Sequence, residues 1–317
     1  MREFTWGIAA TGGIARTVGA AIAAEPGMRV GAVGSRNLAR AQALAATLGA
    51  ESAYGSYERL CADPAIDAVY VATPHAQHLQ VAEAAIAAGK AVLCEKPLAA
   101  SVDDAEKMVR LAREAGVFLM EAMWMRFNPL IQSIAADPRF GDLRSVQATF
   151  GFAAPYDPAH RLWAPDLGGG ALLDLGIYPF SLAQLLLGTP SGLHVTGSLA
   201  PTGVDAEVAG TLLYPGGRHA LVAASLLGNY PNMASVVGTR MRADIPAPFW
   251  APERILLTGP SMEPEEHVLD PADNGYAGEL REVRAATADG RTESSIMPLD
   301  ESLAMMGLLA DARRQLT

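Results

Sequence analysis

The chain has 317 residues, 50% of them hydrophobic, and carries 34 acidic against 24 basic side chains for a net charge of -10. That length exceeds a typical single compact core, so two domains are expected, and the hydrophobic half excludes intrinsic disorder. The acidic balance argues against a nucleic-acid partner, which needs a basic surface to neutralise phosphates.

No apolar run reads as long enough to cross a bilayer, and the N-terminus carries no signal-peptide pattern, so a cytoplasmic protein without a membrane partner is expected. The two cysteines, Cys61 and Cys94, form neither a Cys-x-x-Cys pair nor a ligand cluster and read as small buried residues. In chain order, Trp6 to Thr11 reads as a buried strand, Gly12-Gly13 as a tight turn and Ile14 to Ala24 as a helix of small residues. Met28 to Val33 is the next strand, and Asn37 to Leu48 an alanine-rich helix closed by Gly49. Strand, glycine turn, helix and strand make a βαβ unit.

The pattern repeats with a strand at Ala68 to Thr73, a helix at Gln77 to Ala88 closed by Gly89, and a strand at Ala91 to Leu93. A helix from Ser101 to Ala115 follows, with Ser101 as N-cap and Asp103 and Asp104 at its positive end, then a strand at Val117 to Met120. This alternation predicts an α/β fold whose residues 1–121 form a doubly wound parallel sheet, a Rossmann NAD(P)-binding domain. Beyond Gly141 the grammar changes. Strand-like segments at Ser145 to Phe152, His194 to Leu199, Glu207 to Tyr214, Arg218 to Leu227 and Ala234 to Val237 predict a large, mostly antiparallel sheet. The Pro215-Gly216-Gly217 turn marks a hairpin, and helices are expected at Ala171 to Leu187, Glu279 to Ala288 and Ser302 to Leu316. Residues 122–317 are read as the substrate and oligomerisation domain.

A dinucleotide site needs a glycine turn where backbone amides and a helix N-terminus approach a pyrophosphate. The slots of Gly-x-Gly-x-x-Gly fall on Ala10, Gly12 and Ala15, with only the middle glycine kept. Ala10, Thr11, Gly12, Gly13 and Ile14 are the candidate cofactor residues there. At the end of the second strand an NAD site wants a carboxylate for the ribose hydroxyl. This chain has Ser35 and Arg36, with Arg40 a helical turn on, a set that donates to a 2′-phosphate and favours NADP over NAD. Thr73, Pro74, His75 and His78 follow the third strand-like run and are assigned to the cofactor channel. His75 and His78 lack a third ligand and the glutamate of His-Glu-x-x-His, so no metal is expected. Glu95-Lys96-Pro97 puts a lysine and a rigid turn at the mouth of a strand, where open α/β sheets build active sites, with Glu95 placed to fix the lysine's position and charge.

Trp6-Gly7-Ile8, the Glu95-Lys96-Pro97 turn and the run from Gly168 to Tyr178 together resemble the Gfo/Idh/MocA family of NAD(P)-dependent oxidoreductases. The segment Phe118 to Phe127, with Asp174 and Tyr178, is similar to its branch of dihydrodiol and D-xylose dehydrogenases, and the resemblance covers nearly the whole chain, including Gly203-Val204-Asp205 and Phe249-Trp250. The resemblance implies a Rossmann domain followed by an antiparallel α/β domain. It places catalysis on Lys96, Asp174 and Tyr178. Trp124, Arg126, Phe127, Phe152, Trp163 and Trp250 are candidates for the substrate pocket, since aromatic faces suit a sugar ring or an aromatic diol, and the resemblance favours Trp124, Phe127 and Trp250 among them. It also implies a homodimer or larger homo-oligomer paired through the C-terminal sheets.

The four-residue spacing of Asp174 and Tyr178 sets both on one face of a helix. The expected reaction moves a hydride between NADP and a carbinol or carbonyl of a sugar, polyol or trans-dihydrodiol. Tyr178 and Lys96 handle the proton; whether Lys96 relays it while Tyr178 only binds is left open by the residues. Two other readings share the scaffold, a glycosidase that retains NAD and a non-catalytic NADP-binding sensor. Ser35-Arg36 speaks against the first and the presence of Lys96, Asp174 and Tyr178 against the second.

Overall fold

The computed structural model describes residues 2–316 except Ser261 and Asn274. Two compact units result, Met1–Met123 with Tyr276–Leu303 and Trp124–Gly275 with Ala304–Thr317. The expected single division at residue 121 is therefore crossed by a returning segment, because residues 276–303 pack with the first unit.

The first unit is built on a six-stranded parallel sheet of β1 (Phe4–Ala9), β2 (Met28–Gly34), β3 (Ser52–Tyr54), β4 (Ala68–Val71), β5 (Ala91–Glu95) and β6 (Leu119–Ala122), in the order β3-β2-β1-β4-β5-β6. The helices α1 (Gly13–Ala24), α2 (Leu38–Leu48), α3 (Tyr57–Cys61), α4 (His78–Ala87) and α5 (Val102–Ala115) connect them. β4, β5 and β6 are buried at every position, as expected of parallel strands covered on both faces. Local chemistry sets the helix ends. Asn37 and Ser101 cap α2 and α5 by accepting from Arg40 N and Asp104 N, and Gly49 and Gly116 close the same helices in the left-handed region. The strand β3 and the five-residue α3 escape sequence reading because neither is long enough to show a period.

The second unit opens with α6 (Pro129–Ala136) and carries an eight-stranded sheet. Its strands are β7 (Leu143–Gly151), β8 (Gly192–Leu199), β9 (Asp205–Leu213), β10 (His219–Ser225), β11 (Ala234–Gly238), β12 (Arg242–Ile245), β13 (Arg254–Gly259) and β14 (Met262–Val268), with α7 (Ile177–Leu187) between β7 and β8. The order is β14-β13-β12-β11-β7-β10-β9-β8, antiparallel except for the central β7–β10 pair. The last three strands extend the sheet beyond the five expected. In the β9–β10 turn Gly216 and Gly217 have φ of 74° and 73°, which accounts for the glycine pair. α7 packs on β7 and β10. A trough of about 800 Å³ is lined by Gln147, Thr149, His194, Thr211, Leu221 and Met233, among others, from the sheet and its edges.

The helical stretch Pro165–Leu187 is long and apolar enough to span a bilayer by composition alone, contrary to the sequence reading, but 89% of its most apolar window is buried inside the protein. It is a core helix. Two chain-end helices, α8 (Ala277–Ala288) and α9 (Leu299–Arg314), complete the fold. α8 packs on α1 and β5, and Arg281 Nε donates to Glu25 Oε1 at 2.7 Å.

Candidate active site

In the first unit the turn after β1 has the backbone of a dinucleotide loop. Ala10 sits at φ 129°, a left-handed conformation that explains why glycine is the usual occupant of this slot. Its amide is tied to Gly34 O at 3.0 Å, so the turn is anchored to the end of β2. Gly12 and Gly13 are exposed, and a Cβ built on either meets no atom within 4 Å. Gly12 is the N-cap of α1 with no side chain capping the helix, so open space lies against its positive end. Thr11 and Ile14 flank this opening, half-buried. That combination fits the pyrophosphate of a dinucleotide.

Beyond β2, Ser35 is buried and its Oγ accepts from Asn37 N at 3.2 Å, while Arg36 and Arg40 are exposed. Arg36 also faces the Tyr57 hydroxyl: burial pushes the Tyr57 pKa up from 10.0, and the guanidinium pulls it back down. At the end of β4, Thr73 is buried with an Oγ1 that has no hydrogen-bond partner, a polar atom left over by the fold and suited to a ligand group. Pro74 and His75 beside it are half-buried.

His78 needs a correction. It opens α4 as expected, but it is 0% exposed and touches no open surface. Its Nδ1 lies 3.0 Å from Pro97 O and its Nε2 2.9 Å from Thr73 O, so the ring is a clasp between the end of β4 and the lysine turn. Burial lowers its pKa below the ordinary 6.5, against the opposing pull of these carbonyls.

The clasp is one of several supports of that turn. Tyr70 donates its hydroxyl hydrogen to Glu95 Oε1, Lys96 N donates to Glu95 Oε2 at 3.2 Å, and Leu98 N donates to Glu121 Oε1 at 3.0 Å. Lys96 itself is half-buried, at a cis peptide bond to Pro97. A lysine carried on so many fixed points keeps one backbone position.

In the second unit the sequence between Gly168 and Tyr178 folds into a turn that only glycine permits at one point. Gly170 has φ 125°, and a Cβ there would lie 2.5 Å from Asp205 Oδ1. Asp205, 0% exposed, accepts from Leu172 N and so pins the start of the following helix. That helix begins as a π-helical turn, Leu172–Gly176, before α7 takes over. Asp174 therefore stands on a widened turn rather than on the regular helix assumed from its spacing to Tyr178, a local distortion often found at functional sites.

Asp174 is 7% exposed and paired in a fork with Arg161, Nη1 to Oδ1 at 2.7 Å and Nη2 to Oδ2 at 3.4 Å. Tyr178 receives a hydrogen bond from Trp124 Nε1 at 2.9 Å. Its ring lies 5.6 Å from that of Phe150 and 5.9 Å from that of Trp250, and Phe150 stacks on Trp250 at 3.6 Å with planes 15° apart. The phenol oxygen thus sits on an aromatic wall, accepting from an indole, with its own hydrogen directed away from that donor.

Of the expected substrate residues the structure brings Trp124 and Trp250 to Tyr178. Arg126 is corrected: it is 0% exposed, and its guanidinium is committed to Ser181 Oγ and Gln184 Oε1, both at 3.1 Å, tying the Trp124–Phe127 turn to α7. Trp163 is corrected as well, being 1% exposed with Nε1 on Pro155 O at 2.9 Å and its ring against Tyr156. Phe127 is buried in its turn, and Phe152 follows the end of β7 with its amide on Ser225 O. Phe150, rather than Phe152, is the β7 phenylalanine set against Tyr178; its period-two alternation with Val146 and Ala148 marks a buried face without showing that this face adjoins the tyrosine. Arg161 had no local signal, since only the folded loop brings it to Asp174. Among the described residues no group of three metal-ligating side chains occurs.

Residues 4–123 match a family described as oxidoreductase family, NAD-binding Rossmann fold, and residues 130–244 match the GFO/IDH/MocA C-terminal domain. Over 98% of its length the chain is 38% identical to trans-1,2-dihydrobenzene-1,2-diol dehydrogenase of Mus musculus, covering 96% of that protein. The chain belongs to the Gfo/Idh/MocA family. It is an NAD(P)-dependent dehydrogenase or reductase of this Gfo/Idh/MocA type. The dehydrogenase of the same name from Danio rerio is 37% identical over 98% of the chain and 96% of its own length. Among solved structures, an aldose-aldose oxidoreductase from Caulobacter crescentus complexed with glycerol superposes with a TM-score of 0.88 at 26% identity, covering 99% of this Gfo/Idh/MocA chain and 97% of that one. A 3-ketoreductase from Actinomadura kijaniata in complex with NADP and TDP-benzene gives 0.86 at 28%, covering 99% and 98%.

Proposed function

We propose that this protein is an NADP-dependent oxidoreductase that moves a hydride between the nicotinamide and a carbinol or carbonyl carbon of a sugar, polyol or trans-dihydrodiol. The observation that carries the reading is the Tyr178 phenol, hydrogen-bonded by Trp124 and walled by Phe150 and Trp250. An aromatic wall suits the C–H face of a sugar or the ring of a diol, and the phenol supplies a proton-handling oxygen beside it. When bound, NADP supplies the hydride acceptor or donor at its nicotinamide ring.

The chain's own residues do the rest. In oxidation the Tyr178 oxygen, having first released its own hydrogen to solvent, takes the proton of the substrate hydroxyl, with Lys96 handling the negative charge on oxygen; in reduction the Tyr178 phenol gives its proton to the carbonyl oxygen and is reprotonated from solvent. Asp174, fixed by Arg161, orients the polar end of the substrate. Arg36, Arg40 and Ser35 recognise the 2′-phosphate, while Gly12, Gly13 and the first turn of α1 take the pyrophosphate. Thr73 Oγ1 supplies one further polar contact to the cofactor, and Pro74 and His75 flank it. The names of the curated relatives support the diol, and the solved complex of the ketoreductase with NADP supports the cofactor. Solved structures of that ketoreductase also include a lysine-to-alanine and a tyrosine-to-phenylalanine variant. A second copy covers the open face of the eight-stranded sheet, making a cytoplasmic homodimer, and light scattering that finds only monomer would refute that assembly.

The test is nicotinamide absorbance with NADP⁺ and NAD⁺ in parallel against aldoses, polyols and trans-dihydrodiols. Lys96→Ala and Tyr178→Phe are expected to lower kcat by about 100- to 10,000-fold, the usual size of a lost general acid–base. Full activity in either variant would remove that residue from proton transfer, and turnover with NAD⁺ equal to that with NADP⁺ would remove the role given to Arg36.

A further inference from the structure

Behind the Glu95-Lys96-Pro97 turn lies a buried acidic cluster that the reaction above leaves unused. Glu279, in the first turn of α8, is 0% exposed, and neither of its carboxyl oxygens has a hydrogen-bond partner. Glu95 at the end of β5 is 9% exposed and receives two donors, the Tyr70 hydroxyl and the Lys96 amide. Because α8 packs on β5, the two carboxyls interact inside one dry region. The phenols of Tyr70 on β4 and Tyr276 just before α8 also face it, and Glu95 further acts on the buried Cys94 thiol of β5, which Glu121 on β6 faces as well. α1, also packed on α8, contributes a single titratable residue, the exposed Arg16 of its first turn.

Two carboxyls in a shared low-dielectric site do not both ionise; one keeps its proton. The charge settles where donors receive it, which is Glu95, and the proton where none do, which is Glu279. Burial first, and the charge on Glu95 second, hold the Glu279 carboxyl well above its ordinary 4.5. Burial and the same Glu95 charge keep Tyr70 protonated and therefore a donor.

We propose that Glu279 is a positioning residue for Lys96: held as a neutral acid, it leaves Glu95 ionised beneath the lysine turn and so keeps Lys96 in its place. The bearing on catalysis rests on the hydride-transfer reading, whereas the placement of the proton does not.

Infrared spectra of the full-length protein at neutral pH decide the proton without any substrate. The protonated-carboxyl C=O band is expected to lose intensity in Glu279→Gln and to keep it in Glu95→Gln. Equal intensity in wild type and Glu279→Gln, or a loss confined to Glu95→Gln, overturns the assignment. The pH dependence of unfolding separates this role from simple packing. With its folded-state pKa raised, Glu279 binds its proton more tightly in the native state, so wild-type stability falls relative to Glu279→Gln as pH rises above 4.5. The gap in unfolding midpoint should widen steadily with pH; a constant gap overturns the neutral-acid assignment. With an active substrate in hand, the kcat ratio of Glu279→Gln to wild type should rise at least threefold across the alkaline limb while KM moves less than twofold. Superimposed profiles overturn the positioning of Lys96.

Discussion

The cleanest test of the cofactor turn is Ala10→Gly. Ala10 holds φ 129°, where an L side chain is strained, and its conformation is imposed from both sides. Its amide bonds to Gly34 O at 3.0 Å, and the preceding Ala9 O accepts from Ala72 N at 3.0 Å. Such strain costs about 2 kcal/mol, within the range seen for backbone held in sparsely populated regions. Glycine removes it but adds freedom to the unfolded chain, a penalty of about 1 kcal/mol. The net gain is then about 1 kcal/mol, or an unfolding midpoint higher by about 2–4 °C for a unit of this size. Differential scanning calorimetry without ligand measures it, and a titration with NADPH checks that affinity stays within about twofold, the change in Kd worth roughly 0.4 kcal/mol. A midpoint that stays put or falls would refute the argument that this alanine occupies a glycine conformation under strain.

Arg36→Ala should weaken NADP binding by about 10- to 100-fold, the loss of a charge-assisted contact to phosphate, and leave NAD binding within about twofold; parallel losses for both cofactors would contradict it. His78→Ala removes the clasp on Pro97 and Thr73 and leaves carbonyls and a void behind, for about 3 kcal/mol of stability by urea titration. Because burial lowers the folded pKa of His78, its contribution is present above about 6.5 and is lost as pH falls below that value. His78→Gln should therefore flatten the acid side of the stability profile, and an unchanged acid limb would count against the neutral ring. Arg161→Met leaves Asp174 without its fork. Since Arg161 is half exposed, the stability loss should be no more than about 1 kcal/mol, while kcat/KM drops about tenfold; unaltered kinetics would sink the orienting role given to the pair.

The βαβ grammar, the capped helices and the change to hairpins were legible because each rests on a local period or a single capping residue. Lys96 was legible too, since a strand ending in Glu-Lys-Pro announces itself within five residues. The short β3 and α3 were not, because three to five residues carry no period; β12 has only four residues, β13 reads as a continuous apolar run Ile255-Leu256-Leu257, and the edge strand β14 is mostly polar. Residues 276–303 return to the first unit through contacts such as Arg281 with Glu25, which are 256 positions apart and have no local trace.

The same division runs through the site. The sequence by itself determined which backbone shapes were needed: a glycine-type turn at Ala10, an open helix start at Gly12, a lysine on a rigid turn, a carboxylate four residues before a tyrosine. These follow from the φ preferences and hydrogen-bonding capacity of single residues, which travel with the chain. Only tertiary structure decided which side chains stay available for chemistry. Arg126 and Trp163 carry the right groups but spend them in the core, His78 buries both ring nitrogens against backbone carbonyls, and Phe150, Arg161 and Glu279 meet Tyr178, Asp174 and Glu95 only through the folded chain. Burial and partner choice are sums over the whole packed interior, so no local pattern contains them.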